Sequence, residues 1–530
     1  MTAHHSYIIL GAGAAGLQMA YCLDQAGHDY LVLESGTAPG TFFAQYPRHR
    51  KLISINKVHT GFDDLEKNRR WDWNSLLCDE PALQFKQFSR KYWPHADDLV
   101  RYLGQFAAQH ALAVRYGTDI TRVSRHGVGF RLVDAQGQAF TADRVIVATG
   151  VRRPYIPAIP GIDLCENYSD VNIDPETFAN QRVLILGKGN SAFEMAELLT
   201  ETTALIHVCS PNPIKMAWDT HHVGNLRAVN NNFLDTYQLK TQNGVLDATV
   251  HRIQRRGGQL VATLAYSHAE GETEDIVYDR IIVCTGFRFD AAIFDADVQP
   301  ALCINDRFPA QTSAWESTNV PGMYFAGGLM QARDFKKTSS GFIHGFRYNV
   351  RALFQLLENR HHGRALPSQP LAASAAACTQ MVLAAVNRSS ALWQQFGFLA
   401  DAIRLRADGS ARYLQALPVD HLHDTLMHDT DDYFLVTLEY GAHAAPAPFQ
   451  IHRPDSRDSG QAQRSQFLHP VIRHCRRGQV LAEQHLMEHL ETDWTQPYHQ
   501  QPLLAFFSAR LGLLAEPAEL AEMAEAAVAA

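Results

Sequence analysis

Two segments of the chain repeat one pattern, in which a short apolar strand runs into a glycine turn that opens an alanine-rich helix. The first begins at Ser6 and reads SYIILGAGAAG, and the second begins at Arg182 and reads RVLILGKGNSA. A strand, a Gly-x-Gly turn and a helix in this order open a βαβ unit, whose glycines let the backbone approach a pyrophosphate. The repeat therefore predicts two dinucleotide-binding units in one chain.

The first glycine turn carries the more complete nucleotide signature. Glu34 ends the apolar strand after the first helix, where a carboxylate can accept hydrogen bonds from both hydroxyls of a ribose. The N-terminus of the helix stabilises the charge of the pyrophosphate. We therefore predict an FAD site at this turn. The residues assigned to it are Gly11, Gly13, Ala14, Ala15, Gly16, Glu34 and Ser35.

The second glycine turn lacks the acidic partner of the first. Ser210, and not an acidic residue, comes after the next apolar strand, and Lys215 lies shortly beyond it. A carboxylate here would repel a 2′-phosphate, whereas a hydroxyl and an ammonium can hold one, so the pattern favours NADPH over NADH. Lys215 fits a solvated surface position equally well. The residues assigned to this site are Gly187, Gly189, Asn190, Ser191, Ser210 and Lys215.

Two apolar strands end alike, as Ala148-Thr149-Gly150 and Cys284-Thr285-Gly286, and these ends mark where the chain crosses between the two units. A later apolar strand leads into Gly327, which indicates a return to the first unit. The predicted fold class is α/β, with two Rossmann-like domains and a C-terminal α+β extension. The FAD domain is discontinuous and the NADPH domain is inserted into it. The predicted domains are 1–155 and 291–366 for FAD, 156–290 for NADPH and 367–530 for the extension.

Composition excludes several classes of protein. The 530 residues carry a formal net charge of −8, so no overall basic field invites nucleic acid. No stretch reaches the roughly 18 consecutive apolar residues that a membrane-spanning helix needs. The eight cysteines include no Cys-x-x-Cys pair. The absence of such a pair counts against electron relay through a dithiol, and the scattered cysteines indicate a reducing compartment.

The glycine turns and the Ala-Thr-Gly strand end resemble the flavin-containing monooxygenase superfamily. Longer runs are similar to the endoplasmic-reticulum FAD-dependent oxidoreductases associated with protein degradation. These runs are YPRHRKLISINK at 46–57, NLRAVNN at 225–231, GFIHGFRY at 341–348 and FLHPVIR at 467–473. Unlike those proteins, the sequence shows neither a signal peptide nor a C-terminal retention signal. We therefore expect a cytoplasmic, bacterial relative.

The resemblance implies an NADPH-dependent monooxygenase that uses a flavin hydroperoxide to oxygenate a small molecule with O2. It places Asn56 beside the flavin, and we expect a catalytic role for this residue because an amide can donate and accept a hydrogen bond at once. The expected substrate is an amine or amino-acid-like molecule that is hydroxylated at nitrogen. Further cofactor contacts are expected from Gly40, Phe43, Arg48, Asn56, Lys57, Ala148, Thr149, Gly150, Gly327, Ser340, Gly341 and Phe342.

Four adjacent basic or titratable residues, Arg48 to Lys51, indicate an anionic substrate or the NADPH phosphates, although a solvated surface run has the same pattern. The candidates for the wall of the substrate pocket are Arg48, Trp218, His222 and His344. The histidines and aspartates between 421 and 432 fit no zinc spacing, so we predict no metal site. The sequence leaves a homo-oligomer open.

One signature of the superfamily is missing. The pattern Phe-x-Gly-x-x-x-His does not precede the second glycine turn, and Tyr168 stands about where the histidine belongs. Two alternatives therefore stay open. One is an NADPH oxidase or reductase that passes electrons to O2, a quinone or a partner. The other is a flavin-bearing interaction protein whose C-terminal extension binds a partner.

Overall fold

The fold confirms the predicted α/β class and contains two sheets built on the two glycine-turn segments. The structure is a computed structural model, and it describes residues 3–238, 243–406, 408–428, 432–441 and 458–512. The chain divides into two compact units. The first comprises Met1–Val58, Trp73–Gln311 and Glu316–Ile343, and the second comprises His59–Asp72, Thr312–Trp315 and His344–Ala530.

The first sheet is centred on the strand that leads into the first glycine turn. Its neighbours Tyr30–Leu33 and Ala139–Val147 both run parallel to Ala3–Leu10. Because parallel strands end at one edge of a sheet, the glycine turn, Glu34 and Ala148 share that edge. The spatial order over the described residues is Val114–Arg115, Tyr30–Leu33, Ala3–Leu10, Ala139–Val147, Gly129–Asp134 and Ile120–His126, and Met323–Phe325 also pairs with Ala139–Val147.

The strand Met323–Phe325 confirms the predicted return of the chain to the first sheet. Apolar side chains of this sheet, including Ile8, Phe130, Val145 and Phe325, are fully buried in one core cluster. Burial on this scale supplies the main stabilising term of such a sheet.

The second sheet is centred on the strand of the second glycine turn, Arg182–Leu186. Leu205–Ser210 and Arg280–Val283 run parallel to it on either side. Its core cluster includes Val183, Ile185 and Phe193. The spatial order over the described residues is Thr273–Tyr278, Gln259–Tyr266, Gly244–Arg256, Leu205–Ser210, Arg182–Leu186, Arg280–Val283 and Glu166–Asn167.

The two connections between these sheets run side by side. Arg153–Pro154 and Phe287–Arg288 form a short antiparallel pair, and the Tyr155 amide donates to the Gly286 carbonyl over 2.8 Å. The predicted crossing points after Gly150 and Gly286 therefore lie next to each other.

The helices of the first unit connect these strands. The α-helices are Ala14–Gln25, Thr41–Gln45, Ala96–Gln109, Asn190–Leu199, Ala217–Thr220 and Asn232–Gln238. The 3₁₀ helices are Pro81–Leu83, Phe85–Gln87, Ile162–Leu164, Pro175–Phe178, Ala228–Asn230 and Gly327–Arg333. A short strand pair, Leu302–Cys303 with Phe308–Pro309, completes this unit among the described residues.

The second unit contains an antiparallel third sheet. Its described strands in spatial order are Ser368–Ala372, Ser410–Pro418, Leu399–Leu405, Tyr433–Glu439, His469–Arg476 and Gln479–His485. Its described helices are Leu65–Asn68, Ala375–Arg388, Ser390–Gln394, Val419–His421, the π turn Leu422–Leu426, Ser459–Arg464 and Pro497–Gly512, with Ile343–His362 beginning at the boundary of the units. None of the described helices is long and apolar enough to cross a membrane.

The second unit differs from the predicted C-terminal extension because it includes a distant piece of chain, His59–Asp72. The Glu66 carboxylate accepts hydrogen bonds from the amide of Ser390 over 2.8 Å and from its hydroxyl over 2.6 Å. The Arg70 guanidinium donates to the Val386 carbonyl over 2.7 Å. Contacts between residues so far apart in the chain leave no periodicity in the sequence. The predicted domain boundaries stay predictions.

The alanine-rich helix of this unit begins later than the sequence predicts. The alanine-rich run 371–386 predicts a helix, but the chain first forms the strand Ser368–Ala372, and the helix starts at Ala375 after the Ser374 hydroxyl accepts from the Ala377 amide. A serine cap of this kind sets where a helix begins. The polar run 442–466 predicts a loop, and most of it lies outside the described residues.

Replacing Trp494 with alanine is expected to lower the free energy of unfolding by about 3–5 kcal/mol, because a large buried aromatic is lost and a cavity is left. Trp494 is fully buried in the core of the third sheet, and its indole N–H donates to the Met487 carbonyl over 3.1 Å. The matched control is Leu490→Ala, since Leu490 is 77% exposed. Denaturant unfolding measures both variants, and an equal loss in the control would contradict the assignment of the core.

Candidate functional site

The first glycine turn brings backbone against backbone. Gly11 has φ +99°, and a side chain at Gly11 would meet the Ala148 carbonyl oxygen at 3.0 Å. A methyl group at Gly16 would lie 1.9 Å from the Gly11 oxygen. Among the described side chains none caps the following helix, and its first turn holds no acidic residue. The turn therefore presents free N–H groups suited to an anion.

Glu34 is buried beside this turn with its carboxylate held in place. One oxygen accepts from the Ala12 amide over 2.7 Å. The other accepts from the Gly36 amide over 2.8 Å and the Thr41 hydroxyl over 2.9 Å, and the Ser35 hydroxyl lies 3.4 Å from it. An ionised carboxylate has about four acceptor positions, so one position remains for a ribose hydroxyl, on the oxygen that accepts from Ala12. The buried carboxylate and its open acceptor position fit the adenosine end of FAD.

Several glycines that were predicted to contact the cofactor lie far apart in the sequence but come together at this turn. The Gly40 amide donates to the Ala12 carbonyl over 3.1 Å. A side chain at Gly327 would lie 2.5 Å from the Ala15 Cβ, so only glycine fits there. Gly341 lies next to Gly328, whose ideal Cβ would be 3.7 Å from the Gly341 oxygen.

A buried carboxyl group, Asp334, organises the loop before Gly341 and was not foreseen from the sequence. Thr338 donates its hydroxyl to this carboxyl group, and Ser340 also hydrogen-bonds to it. Burial raises the pKa of Asp334 to about 7. Ser340, predicted to contact the cofactor, therefore has a protein partner already.

Asn56 is 2% exposed, and its amide is only half satisfied. Its Nδ2 donates to the Ser89 carbonyl over 2.7 Å and the Lys91 carbonyl over 3.3 Å. Its Oδ1 is buried and, among the described residues, has no hydrogen-bond partner. A buried unsatisfied oxygen is costly unless something else donates to it. Only the acceptor side of the side-chain amide is therefore open, and the expected catalytic role of Asn56 stays a prediction.

Phe43, the aromatic expected to contact the cofactor, packs edge-on against Phe42 with ring centroids 5.6 Å apart. Phe42 extends this contact into an aromatic cluster, in which its ring centroid lies 5.0 Å from Tyr46 and 6.2 Å from Phe287. Tyr46 in turn stacks on Tyr168 with centroids 5.8 Å apart. Phe43 is half-buried and Lys57 is exposed, so their assigned roles stay predictions.

The second glycine turn repeats the geometry of the first. Gly187 has φ +126°, and a side chain there would lie 2.3 Å from the Cys284 carbonyl oxygen. The helix Asn190–Leu199 likewise begins without a side-chain cap from the described residues and without an acid in its first turn. This arrangement fits a second dinucleotide.

Asn190 has a role that the sequence did not suggest. Its Nδ2 donates to the carbonyls of Gly224 and Asn225 over 3.2 and 2.9 Å. Its Oδ1 accepts from the Arg227 amide over 3.0 Å and from Asn230 over 3.1 Å. All four hydrogen-bond positions of the side chain are thus engaged. Asn190 fixes the segment 222–230, which we call the bridging segment, to the second glycine turn.

The bridging segment also contacts the loop near Gly341. The Nδ1 of His222 lies 3.4 Å from the Thr338 carbonyl oxygen. The ring centroids of His222 and Phe342 are 6.1 Å apart. A side chain at Gly224 would meet both of these rings. His222 and Phe342 are thus brought together, whereas Trp218 is 46% exposed. His344 belongs to the second unit, and its role stays a prediction.

The residues around Ser210 carry mixed charge. The Ser210 hydroxyl donates to the Asn212 carbonyl over 3.0 Å. Lys188 donates to the Ser210 and Asn212 carbonyls and pairs with Asp247, which offsets that carboxylate. Burial lowers the pKa of the Lys336 ammonium, and the positive charges of Arg307 and Lys215 lower it further. Lys215 therefore lies near Lys336.

A cavity opens at the edge of the second sheet beside the second glycine turn. Its lining includes Ser191, which was predicted to bind the cofactor, and the strand end Cys284-Thr285-Gly286, which was predicted to mark the crossing between the two units. It is lined by Pro154, Tyr155, Asn167, Tyr168, Ser191, Val283, Cys284, Thr285, Gly286 and Phe287. Behind it the Tyr168 hydroxyl donates to the Glu194 carboxylate over 2.9 Å. Burial raises the pKa of Glu194 to about 7.

The basic run at Arg48 to Lys51 is largely engaged by the protein. The Arg48 guanidinium donates to the carbonyls of Tyr168, Ser169 and Val171. Arg50 pairs with Asp97. Burial lowers the pKa of His49 to about 4, so its ring is neutral at pH 7. The geometry gives Arg48 a structural position, and its assigned cofactor and substrate roles stay predictions.

The eight cysteines all lie in the described part of the chain and are free thiols. Burial raises the pKa of Cys209 to about 11 and that of Cys378 to about 11. It also raises the pKa of Cys284 beside the cavity. Protonated thiols of this kind are poor nucleophiles, which agrees with the absence of a Cys-x-x-Cys pair.

Known proteins resemble this chain in sequence and in fold. It is 38% identical to FAD-dependent oxidoreductase domain-containing protein 2 of Mus musculus, over 95% of this chain and 83% of that protein. It is 29% identical to an indole-3-pyruvate monooxygenase of Oryza sativa over 36% of this chain and 43% of that protein. A flavin-containing monooxygenase structure from Stenotrophomonas maltophilia matches at 20% identity and a TM-score of 0.53, over 67% of this chain and 98% of that one.

The family described as pyridine nucleotide-disulphide oxidoreductase matches residues 8–327, which contain both glycine turns. The resemblance and the FAD and nicotinamide-nucleotide cofactors predicted from sequence are thereby confirmed. The chain belongs to the pyridine nucleotide-disulphide oxidoreductase family, together with FAD-dependent oxidoreductase domain-containing protein 2, and is an NAD(P)H-dependent flavin oxidoreductase.

Proposed function

We propose that this oxidoreductase is an FAD- and NADPH-dependent monooxygenase that hydroxylates the nitrogen of a small amine or amino-acid-like molecule. In this reaction one atom of O2 is added to nitrogen, the other leaves as water, and NADPH supplies two electrons. Bound FAD supplies the chemistry that joins NADPH oxidation to O2 reduction. The observation that carries the proposal is the buried, unpartnered Oδ1 of Asn56 among the described residues.

The residues around Asn56 support oxygenation in a site closed to water. The backbone N–H of Asn56 donates to the Tyr92 carbonyl over 2.9 Å. The backbone N–H of Trp73 lies 3.4 Å from the Ile55 carbonyl oxygen. Asn74 donates to the same carbonyl over 3.1 Å. These contacts hold Asn56 so that its oxygen can accept from an N–H or O–H group. Excluding water protects reactive oxygen species from side reactions.

The thiols and the bridging segment support the same reaction class. Because the described thiols near the cavity are buried and protonated, electrons are left to pass to O2 or a small acceptor. The bridging segment contacts both the second glycine turn, through Asn190, and the loop that carries Phe342. This continuity supports hydride delivery and oxygenation at neighbouring positions.

A second candidate is an NADPH oxidase or reductase. The observation that favours it is Tyr168, which replaces the expected histidine and donates its hydroxyl to Glu194. Without that histidine, the site has one cationic group fewer to retain a reduced oxygen species.

A coupling measurement separates the two candidates. Purified FAD-loaded protein is mixed with NADPH in air, with and without a panel of amines, amino acids and 2-oxo acids. The proposal expects one amine or amino acid to raise NADPH consumption without stoichiometric hydrogen peroxide. Stoichiometric peroxide with every compound would favour the oxidase, and an absence of NADPH oxidation would leave a binding function only.

Replacing Asn56 with alanine is expected to raise the fraction of NADPH electrons released as peroxide roughly tenfold, the effect of losing one hydrogen bond of about 1.4 kcal/mol. FAD content and the melting temperature show whether the variant is folded. The matched control is Gln84→Ala, which removes a buried side-chain amide whose Nε2 donates to the Cys78 and Glu80 carbonyls and takes no part in holding Asn56. Equal uncoupling in both variants would remove Asn56 from the mechanism.

Replacing Lys215 with glutamate is expected to lower kcat/KM for NADPH at least tenfold while leaving that for NADH nearly unchanged, because a charge-assisted hydrogen bond to the 2′-phosphate is lost. Lys86→Glu, at an exposed position, controls for net charge. Steady-state rates with both nucleotides measure the effect. An equal loss with NADH would show that Lys215 does not read the phosphate.

A further inference from the structure

Arg227 lies in the bridging segment, and its backbone is fixed before any ligand binds. Its amide donates to Asn190 Oδ1 over 3.0 Å. On its other side, the Leu226 amide donates to the Lys215 carbonyl and the Ala217 amide donates to the Leu226 carbonyl, each over 3.0 Å. Arg227 is therefore positioned by the same side chain that fixes the second glycine turn.

The guanidinium of Arg227 is held between two indole rings. Its central carbon lies 5.0 Å from the ring centroid of Trp73 and 5.3 Å from that of Trp93. Such cation–π contacts orient a guanidinium through its faces and leave its N–H edge free. Burial lowers the pKa of Arg227 below its usual value, although the group stays charged at pH 7.

The N–H groups of this guanidinium are uncommitted. Within the described residues, Arg227 makes no side-chain hydrogen bond and no ion pair; its ring contacts are Trp73 and Trp93, and Tyr92 is its titratable neighbour. The other arginines considered for anion binding differ: Arg48 donates to three carbonyls and Arg50 pairs with Asp97. A partly desolvated cation with five free donors is poised for an oxyanion.

The two tryptophans connect Arg227 to the segment that carries Asn56. The Trp73 amide contacts the carbonyl of Ile55, and Trp93 comes directly after Tyr92, whose carbonyl accepts from the Asn56 amide. A ligand held by Arg227 would thus lie beside the residue to which the proposed oxygenation is assigned. The phosphates of the nucleotide have separate candidates in Lys215, Lys336 and Arg307.

We propose that Arg227 binds the carboxylate of the substrate, so that the enzyme acts on amino acids and related amines that carry a carboxylate rather than on simple amines. This inference rests on the proposed function for its reaction, but the carboxylate site itself does not. A planar guanidinium matches a carboxylate through two parallel hydrogen bonds. The tryptophan rings keep water from the pair and fix its direction.

Binding of two probes of matched size, one anionic and one neutral, tests the site without turnover. Phenylacetate and phenylacetamide are titrated by calorimetry into the FAD-loaded wild type, Arg227→Gln, Arg227→Lys and the control Arg90→Gln, whose residue is exposed three positions before Trp93. The wild type and the control are expected to bind phenylacetate at least tenfold more tightly than phenylacetamide. Arg227→Gln should abolish this preference, and Arg227→Lys should keep part of it. NADP⁺ affinity should stay within about twofold in all variants.

The outcomes separate this site from the proposed reaction. Equal binding of the two probes by the wild type overturns the carboxylate site, as does a preference that survives Arg227→Gln. A loss of NADP⁺ affinity in Arg227→Gln, with carboxylate binding kept, assigns Arg227 to the nucleotide and also overturns it. If Arg227-dependent phenylacetate binding is found but no amino acid is oxygenated, the carboxylate site stands and the proposed function fails.

Discussion

The close approach of a glycine to the carbonyl that ends a neighbouring strand is the constraint on which both nucleotide sites depend. Gly11 faces Ala148 and Gly187 faces Cys284, and both glycines have positive φ. A side chain at either turn would push the helix away from the edge of its sheet. The uncapped N-termini, and the N–H groups that they present, are held at those edges only because the contact is so close.

Asn190 connects this constraint to the rest of the site. Its side chain uses both its donors and its acceptor to hold the bridging segment. That segment carries His222 toward Phe342 and Arg227 toward Trp73 and Trp93. The position of a predicted nucleotide-binding residue thus sets the position of groups near Asn56. The second glycine turn and the proposed oxygenation site thus share one anchor.

Local sequence patterns were sufficient for the sheets, the two glycine turns and Glu34, because strand, turn and helix signals lie within a few residues of one another. They also predicted the return strand at Met323–Phe325, whereas Asn56 came from the family resemblance, and its role stays a prediction. They failed where the partner of a side chain is distant in the chain. The three carbonyls that hold Arg48 lie far from it in the chain, and so does the Trp73 ring beside Arg227, so no regular spacing in the sequence indicates these contacts. Whether a charged residue is engaged or free depends on such contacts.

The paired connections between the first two sheets carry a consequence for how such a chain can arise. Arg153–Pro154 and Phe287–Arg288 lie hydrogen-bonded to each other, so the residues between them form a closed loop whose ends already meet. Because these ends already meet, an insertion between them adds little to the entropic cost of closing the chain in the surrounding fold. Insertions are tolerated where chain ends are close together. The residues of the second sheet can therefore be accommodated between these paired connections without a change in the register of the first sheet.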